Sequence, residues 1–207
     1  VQSSLTAEQV CEAARGRPIF HDDGCPLNYT LFEVIKGGEL ERRISHREKM
    51  SSIVTGRWLD WDPNDCYLVF KRDQMPFCLD RVLPFADDVK VADPGSKTFT
   101  TSSFKLESGS KIVQYSKACE RIFHALKPIN EWSVDETLWF IGHELTRKPP
   151  YFYTLTFIPL KKSLKYKSKF FGYCLSFQND AQRVGWLNAV LSCQDDQTAP
   201  TAPLLQI

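Results

Sequence analysis

The chain has 207 residues, 43% of them hydrophobic, enough for one large domain or two small ones with a packed core. Lys and Arg number 26 against 25 Asp and Glu, so no net field points to nucleic acid or to an acidic partner. No apolar run approaches membrane-spanning length, and the start, VQSSLTAEQVCEAARGR, lacks the basic and apolar regions of a signal peptide.

Residues 5–15 (LTAEQVCEAAR) are expected to form a helix, with Ala7, Val10, Cys11 and Ala14 on one face and Gly16 and Pro18 ending it. After the polar turn HDDGCPLN, residues 29–35 (YTLFEVI) alternate as a strand, and Lys36-Gly37-Gly38 turns the chain into a second strand over 39–44. A short helical stretch over 46–54 follows, then residues 58–63, then a strand at 66–70 (CYLVF). Helix, hairpin, short helix and strand make half of a ubiquitin-like plan. Such a sheet normally has a hairpin ahead of its first helix, and only four residues precede this one, so the unit is expected to be truncated by roughly 15 to 20 residues.

A linker is expected at 74–79. Strand signals then fall at 81–85, 98–107, 111–115, 131–134, 138–141, 151–158 and 171–177. The pair 98–107 and 111–115 is joined tightly through Ser108-Gly109-Ser110, whereas 118–128 and 160–170 are longer loops. A last helix over 179–194 (NDAQRVGWLNAVLSCQ) has Asn179 as its cap and Trp186, Val190, Leu187, Leu191 and Val184 on one side. Seven strands closed by one helix is the count of a pleckstrin-homology (PH) sandwich. The fold class is therefore α+β: a truncated ubiquitin-like unit over 1–73, then a PH-like sandwich over 80–195 capped by its C-terminal helix. The tail 196–207, rich in Ala-Pro steps, is expected to be mobile.

The seven cysteines are odd in number, scattered, and nowhere at metal-ligand spacing, which favours reduced structural thiols. The four histidines (21, 46, 124 and 143) belong to no recognisable catalytic set. His143-Glu144 precedes Arg147-Lys148-Pro149-Pro150 and reads as a surface turn. Gly37-Gly38 lacks the pattern of a phosphate loop. No enzyme, cofactor or metal is expected.

Residues 32–50 (FEVIKGGELERRISHREKM) resemble the Ras-association (RA) domain of ARAP proteins, the multidomain Arf and Rho GTPase-activating proteins with ankyrin repeats. The later runs SFKLESGSKIVQYSK, NEWSVDETLWFIGHELTRKPPYFYTLTF and NDAQRVGWLNAV are similar to the last PH domain of that family. The resemblance implies a non-catalytic regulatory and targeting segment of a GTPase-activating protein. It would bind a GTP-loaded Ras-family GTPase, Rap-like, and anionic membrane lipid, and it would be cytoplasmic and peripheral at membranes. The competing reading is an intramolecular or scaffolding module that regulates a neighbouring GTPase-activating domain without lipid.

RA domains meet the acidic face of a GTPase through basic residues, and the resemblance points to Arg15 and Arg17. Helix-dipole stabilisation would account for both without a partner, and the first 75 residues hold 10 basic against 12 acidic residues. Arg42, Arg43, Arg47 and Lys49 are interleaved with Glu39, Glu41 and Glu48 and are expected to pair internally. The lipid-binding candidates of the PH half are Arg81, Lys90, Lys97, Lys105 and Lys117, since converging cations suit phosphates. Thr100, Thr101, Ser102 and Ser103 stand where tight headgroup binders place basic residues, so high-affinity recognition is not expected. Lys161, Lys162, Lys165, Lys167 and Lys169 put five like charges in nine residues, read either as an anionic-lipid contact or as a solvated loop.

Overall fold

Thr6 opens the first helix, α1 (Ala7–Arg15), by a reciprocal capping box: its hydroxyl accepts from the Gln9 amide, and the Gln9 side chain accepts from the Thr6 amide. This is a computed structural model, and it describes residues 5–17, 29–73, 85–107, 110–116, 128–160 and 172–194. The expected linker at 74–79, the tail at 196–207 and most of both long loops lie outside the described residues.

Three strands follow α1: β1 (Tyr29–Ile35), β2 (Leu40–Arg43) and β3 (Tyr67–Arg72). The turn between β1 and β2 is wound left-handed at Lys36, Gly37 and Gly38, with φ of +53°, +64° and +106°. Two glycines in succession make that turn inexpensive, since a Cβ is strained at these angles. Helical winding between β2 and β3 begins at residue 50, later than expected, and runs through a π-helical turn (Ser52–Gly56) into a 3-10 turn (Arg57–Asp60). Lys49 instead bridges to Thr6 in extended form.

Seven more strands follow: β4 (Phe85–Ala92), β5 (Thr100–Glu107), β6 (Lys111–Ser116), β7 (Asn130–Ser133), β8 (Thr137–Gly142), β9 (Tyr153–Pro159) and β10 (Tyr173–Phe177). The closing helix, α2 (Asp180–Gln194), is capped by Asn179, whose side-chain oxygen accepts from the Gln182 amide. The strand expected at 81–85 lies outside the described residues except for its last position, from which β4 runs on to Ala92. Asp87 and Asp88 interrupt its hydrophobic pattern, yet Val89 and Val91 still turn inward.

Among the described residues the ten strands form one antiparallel sheet in the order β3-β1-β2-β8-β9-β10-β4-β5-β6-β7. The two halves join where β2 meets β8, through the pairs Leu40–Gly142 and Glu41–Ile141. The larger core lies under α2 and holds Phe104, Trp132, Leu155, Phe157 and Trp186, the last fully buried edge-on to Phe104. A second core packs Ala7 and Cys11 of α1 on Leu31, Ile44, Met50 and Ile53. A third is shared: Ile35, Leu40 and Cys66 from the first half meet Phe140 and Ile158 from the second. That shared core corrects the expected alternation of β1, which is buried at six of its seven positions.

Candidate functional site

Arg15 and Arg17 end α1 as expected, but in different settings. The Arg15 guanidinium is half-buried and donates to the Tyr29 carbonyl at 2.9 Å, fastening the helix to the start of β1. Arg17 is exposed just past the helix. The basic cluster of β2 pairs internally, chiefly with partners beyond the three glutamates singled out. Arg43 binds Asp73 at 2.9 Å, while Arg42 is buried against Glu33 at 2.5 Å and Glu48 at 2.9 Å. Arg57 joins both carboxylates, and the Trp58 indole donates to Glu33 at 2.9 Å. Burial opposes ionisation of this group, but Arg42 and Arg57 overcome it and hold the Glu48 carboxyl below its usual range.

Of the lipid-binding candidates, Arg81, Lys117, Lys161, Lys162, Lys165, Lys167 and Lys169 lie outside the described residues. Lys97 is exposed in the turn after β4. Lys90, near the end of β4, donates to the Thr101 hydroxyl at 2.8 Å. Lys105 is four positions further along β5 than Thr101 and lies 3.4 Å from Glu107. Lys90 and Lys105 therefore do not converge, whereas Lys90 and Lys97 lie toward the same end of the sandwich.

The segment 143–150, expected as a surface turn, does turn at 145–146, but together with 151–152, expected as the start of a strand, it is held down as a strap across the outer face of β10. Glu144 and Arg147 are each only 1% exposed. The Arg147 guanidinium donates to the carbonyls of Gly172 at 2.8 Å and Ala92 at 3.4 Å, and it lies 3.3 Å from Glu144. Further along, the Ser176 hydroxyl accepts from the Tyr151 amide and donates to its carbonyl, both at 3.0 Å. Burying the Arg147 charge requires such partners, and they are main-chain atoms distant in sequence that no local pattern reveals. The strap leaves Leu145 and Phe152 exposed, with Lys148 between them.

Glu144 also reaches the first half, with Lys36 at 3.5 Å, and the Lys36 ammonium stands 5.7 Å from the Trp61 ring centre. Burial lowers the Lys36 pKa, with Glu144 and Glu39 opposing. Burial likewise lowers that of His143, whose Nδ1 is 3.0 Å from the Thr154 hydroxyl. The Cys66 and Cys174 thiols are pushed up to about 11 by burial, which suits structural thiols. Among the described residues no group of three or more His, Cys, Asp or Glu could hold a metal ion, and no helix is long and apolar enough to cross a membrane.

No known family's sequence pattern matches the chain, and no curated protein matches it. Solved structures do. The coiled-coil, RA and PH domains of lamellipodin align over 92% of this chain and 79% of theirs, at 16% identity and a TM-score of 0.65. The carboxyl-terminal PH domain of pleckstrin aligns over 56% of this chain and 99% of its own, at 11% identity and a TM-score of 0.39. The fold of this chain is thus similar to an RA domain followed by a PH domain, with a mostly antiparallel sheet closed by a C-terminal helix.

Proposed function

We propose that this chain is a non-catalytic regulatory and targeting segment of a GTPase-activating protein of the ARAP kind. Residues 1–73 act as its RA part and residues 80–195 as its PH part. The first half binds a GTP-loaded Ras-family protein, Rap-like, through the Arg15 and Arg17 end of α1. The second half binds anionic lipid through the lysines of 161–169 and the cations Arg81, Lys90, Lys97, Lys105 and Lys117. The observation that carries this reading is the similarity in fold to adjoining RA and PH domains over nearly the whole chain. Exposed Leu145 and Phe152 beside Lys148 give further support, since apolar groups among cations suit a lipid surface.

Calorimetric titration against a panel of Ras-family proteins tests the first half. Tighter binding of the GTP-loaded form of one of them is expected, and equal binding of both nucleotide forms, or none, overturns it. Flotation with anionic vesicles tests the second half. Changing all five lysines of 161–169 to Gln is expected to reduce it by about 1 kcal/mol per residue, and unchanged flotation rejects that stretch.

The shared core and the β2–β8 pairing favour a second reading, in which the two halves form a fixed scaffold that regulates a neighbouring GTPase-activating domain in cis. Its mark is altered activity of that domain with neither GTPase nor lipid bound by this chain.

A further inference from the structure

Tyr67, the first residue of β3, is the one exposed tyrosine among the described residues, at 44%. Of the others, Tyr29 and Tyr153 are half-buried against rings, the Tyr115 hydroxyl donates to Glu107, and Tyr173 is buried in the larger core. The Tyr67 hydroxyl has no hydrogen-bond partner among the described residues. A Cβ at Gly38 would stand 3.5 Å from it, so the bare glycine of the β1–β2 turn leaves room over the hydroxyl.

Two features around Tyr67 suit an enzyme that must hold it. β3 ends the strand order and, among the described residues, pairs with β1 alone, so its other edge is extended and open. A second chain can lie along such an edge as an added strand. The run leading into it, Asp62-Pro63-Asn64-Asp65, is exposed throughout and sets one carboxylate five residues ahead of the tyrosine and another two ahead. Neither carboxylate has an ion-pair partner among the described residues, so both are available to a basic recognition surface.

We propose that Tyr67 is a phosphorylation site for a protein tyrosine kinase that recognises acidic residues ahead of its target. The Tyr67 Oη attacks the γ-phosphorus of a nucleoside triphosphate held by that kinase, and the bond from this phosphorus to the β–γ bridging oxygen breaks. The nucleoside diphosphate leaves, and the phenolic proton passes to the catalytic carboxylate of the kinase. The product carries a charge of about −2, set beside Gly38 and close to Asp65, whose Oδ1 lies 3.7 Å from the Cβ position of Gly37. The site uses neither the Arg15 and Arg17 end of α1 nor the lipid-binding lysines, so it stands or falls apart from the GTPase and lipid readings.

In the test, the full chain is incubated with ATP, Mg²⁺ and a tyrosine-kinase catalytic domain that phosphorylates acidic copolymers of Glu and Tyr, and phosphate is mapped by peptide mass spectrometry. Phosphate on Tyr67 ahead of Tyr29, Tyr115, Tyr151 and Tyr153, lost in Tyr67→Phe, supports the site. Asp65→Asn should slow incorporation about threefold, the size of one exposed charge contact, and Tyr115→Phe should leave it unchanged. Amide shifts at Gly37 and Gly38 in the modified chain are the expected local mark. No phosphate on Tyr67, or phosphate there only after unfolding in urea, overturns the site. Incorporation at Tyr67 no faster than at half-buried Tyr29 or Tyr153 does so too. Mapping on the unaltered chain makes the outcome independent of how Tyr67→Phe folds.

Discussion

Two ionic clusters, one within the first half and one at the junction between β2 and β8, are built differently. In the first half, Glu33 and Glu48 face Arg42 and Arg57, two charges of each sign, with ion-pair distances of 2.5 to 3.2 Å. At the junction, one carboxylate, Glu144, faces two cations at 3.3 and 3.5 Å, and Arg147 gives its shorter contact to a main-chain carbonyl. The balanced cluster is satisfied within itself and specifies the local shape of one half. The unbalanced one spends its surplus charge on carbonyls far away in sequence, and so ties the strap to β4, β10 and the β1–β2 turn. Buried charge can thus specify a shape or fasten separate segments, and the spacing of the pairs tells which.

The strongest way to break the contrast is Glu33→Ala. It leaves Arg42 buried with half its anionic partners, and a loss of about 3 to 5 kcal/mol is expected in denaturant unfolding. A loss below 1 kcal/mol would mean that the balanced cluster is no tighter than a surface pair. Gly142→Ala should come next, at about 2 kcal/mol. Gly142 has φ of +106°, and a Cβ there would stand 2.2 Å from the Glu39 carbonyl oxygen, so β2 and β8 would have to separate. Faster hydrogen exchange at Leu40 and Glu41, with the α1 core unaffected, is the expected signature. Exchange unchanged at both would show that the close approach is not needed.

A smaller effect separates the clusters by pH. Burial holds His143 below its ordinary value of 6.5, with Glu144 and Glu39 opposing and Arg147 reinforcing. The unfolded chain therefore takes up the proton first, and stability declines as pH falls below 6.5. Glu48 has the opposite chemistry and the same sign of outcome. Its folded value is below 4.5, so its contribution is complete above that pH and is lost as pH falls through the folded value. Unfolding midpoints against pH should show two steps, the upper one flattened in His143→Gln. An upper step identical in that variant would remove His143 as its cause.

Much of the fold was legible from local pattern. The helix at 5–15, the strand at 29–35 and the seven strands among the described residues of the second half all rest on periodicity and turn chemistry, and those signals are short-range. The run of β4 on to Ala92 was hidden because paired aspartates mask its alternation. What lay beyond reach depends on residues far apart in sequence. Leu40 and Gly142 meet across the junction, and Arg147 finds its partners at Ala92 and Gly172. A Glu and an Arg ahead of two prolines carry every local mark of a surface turn, and their burial rests on partners distant in sequence, Lys36 for Glu144 and the Ala92 and Gly172 carbonyls for Arg147. The same limit applies to the candidate site. Lys90 and Lys105 look equivalent in sequence, yet one meets the Thr101 hydroxyl and the other a glutamate.

The step from β2 to β8 is the narrowest in the ten-stranded sheet. It is paired over two positions, where β4 and β5 are paired over seven and β1 and β3 over six. In mechanical terms the sheet is two broad plates joined at an isthmus. Pulled from its two ends, it would part there first, with the shared core and the Lys36–Glu144 contact resisting the tear, and each plate would come away with its own core whole.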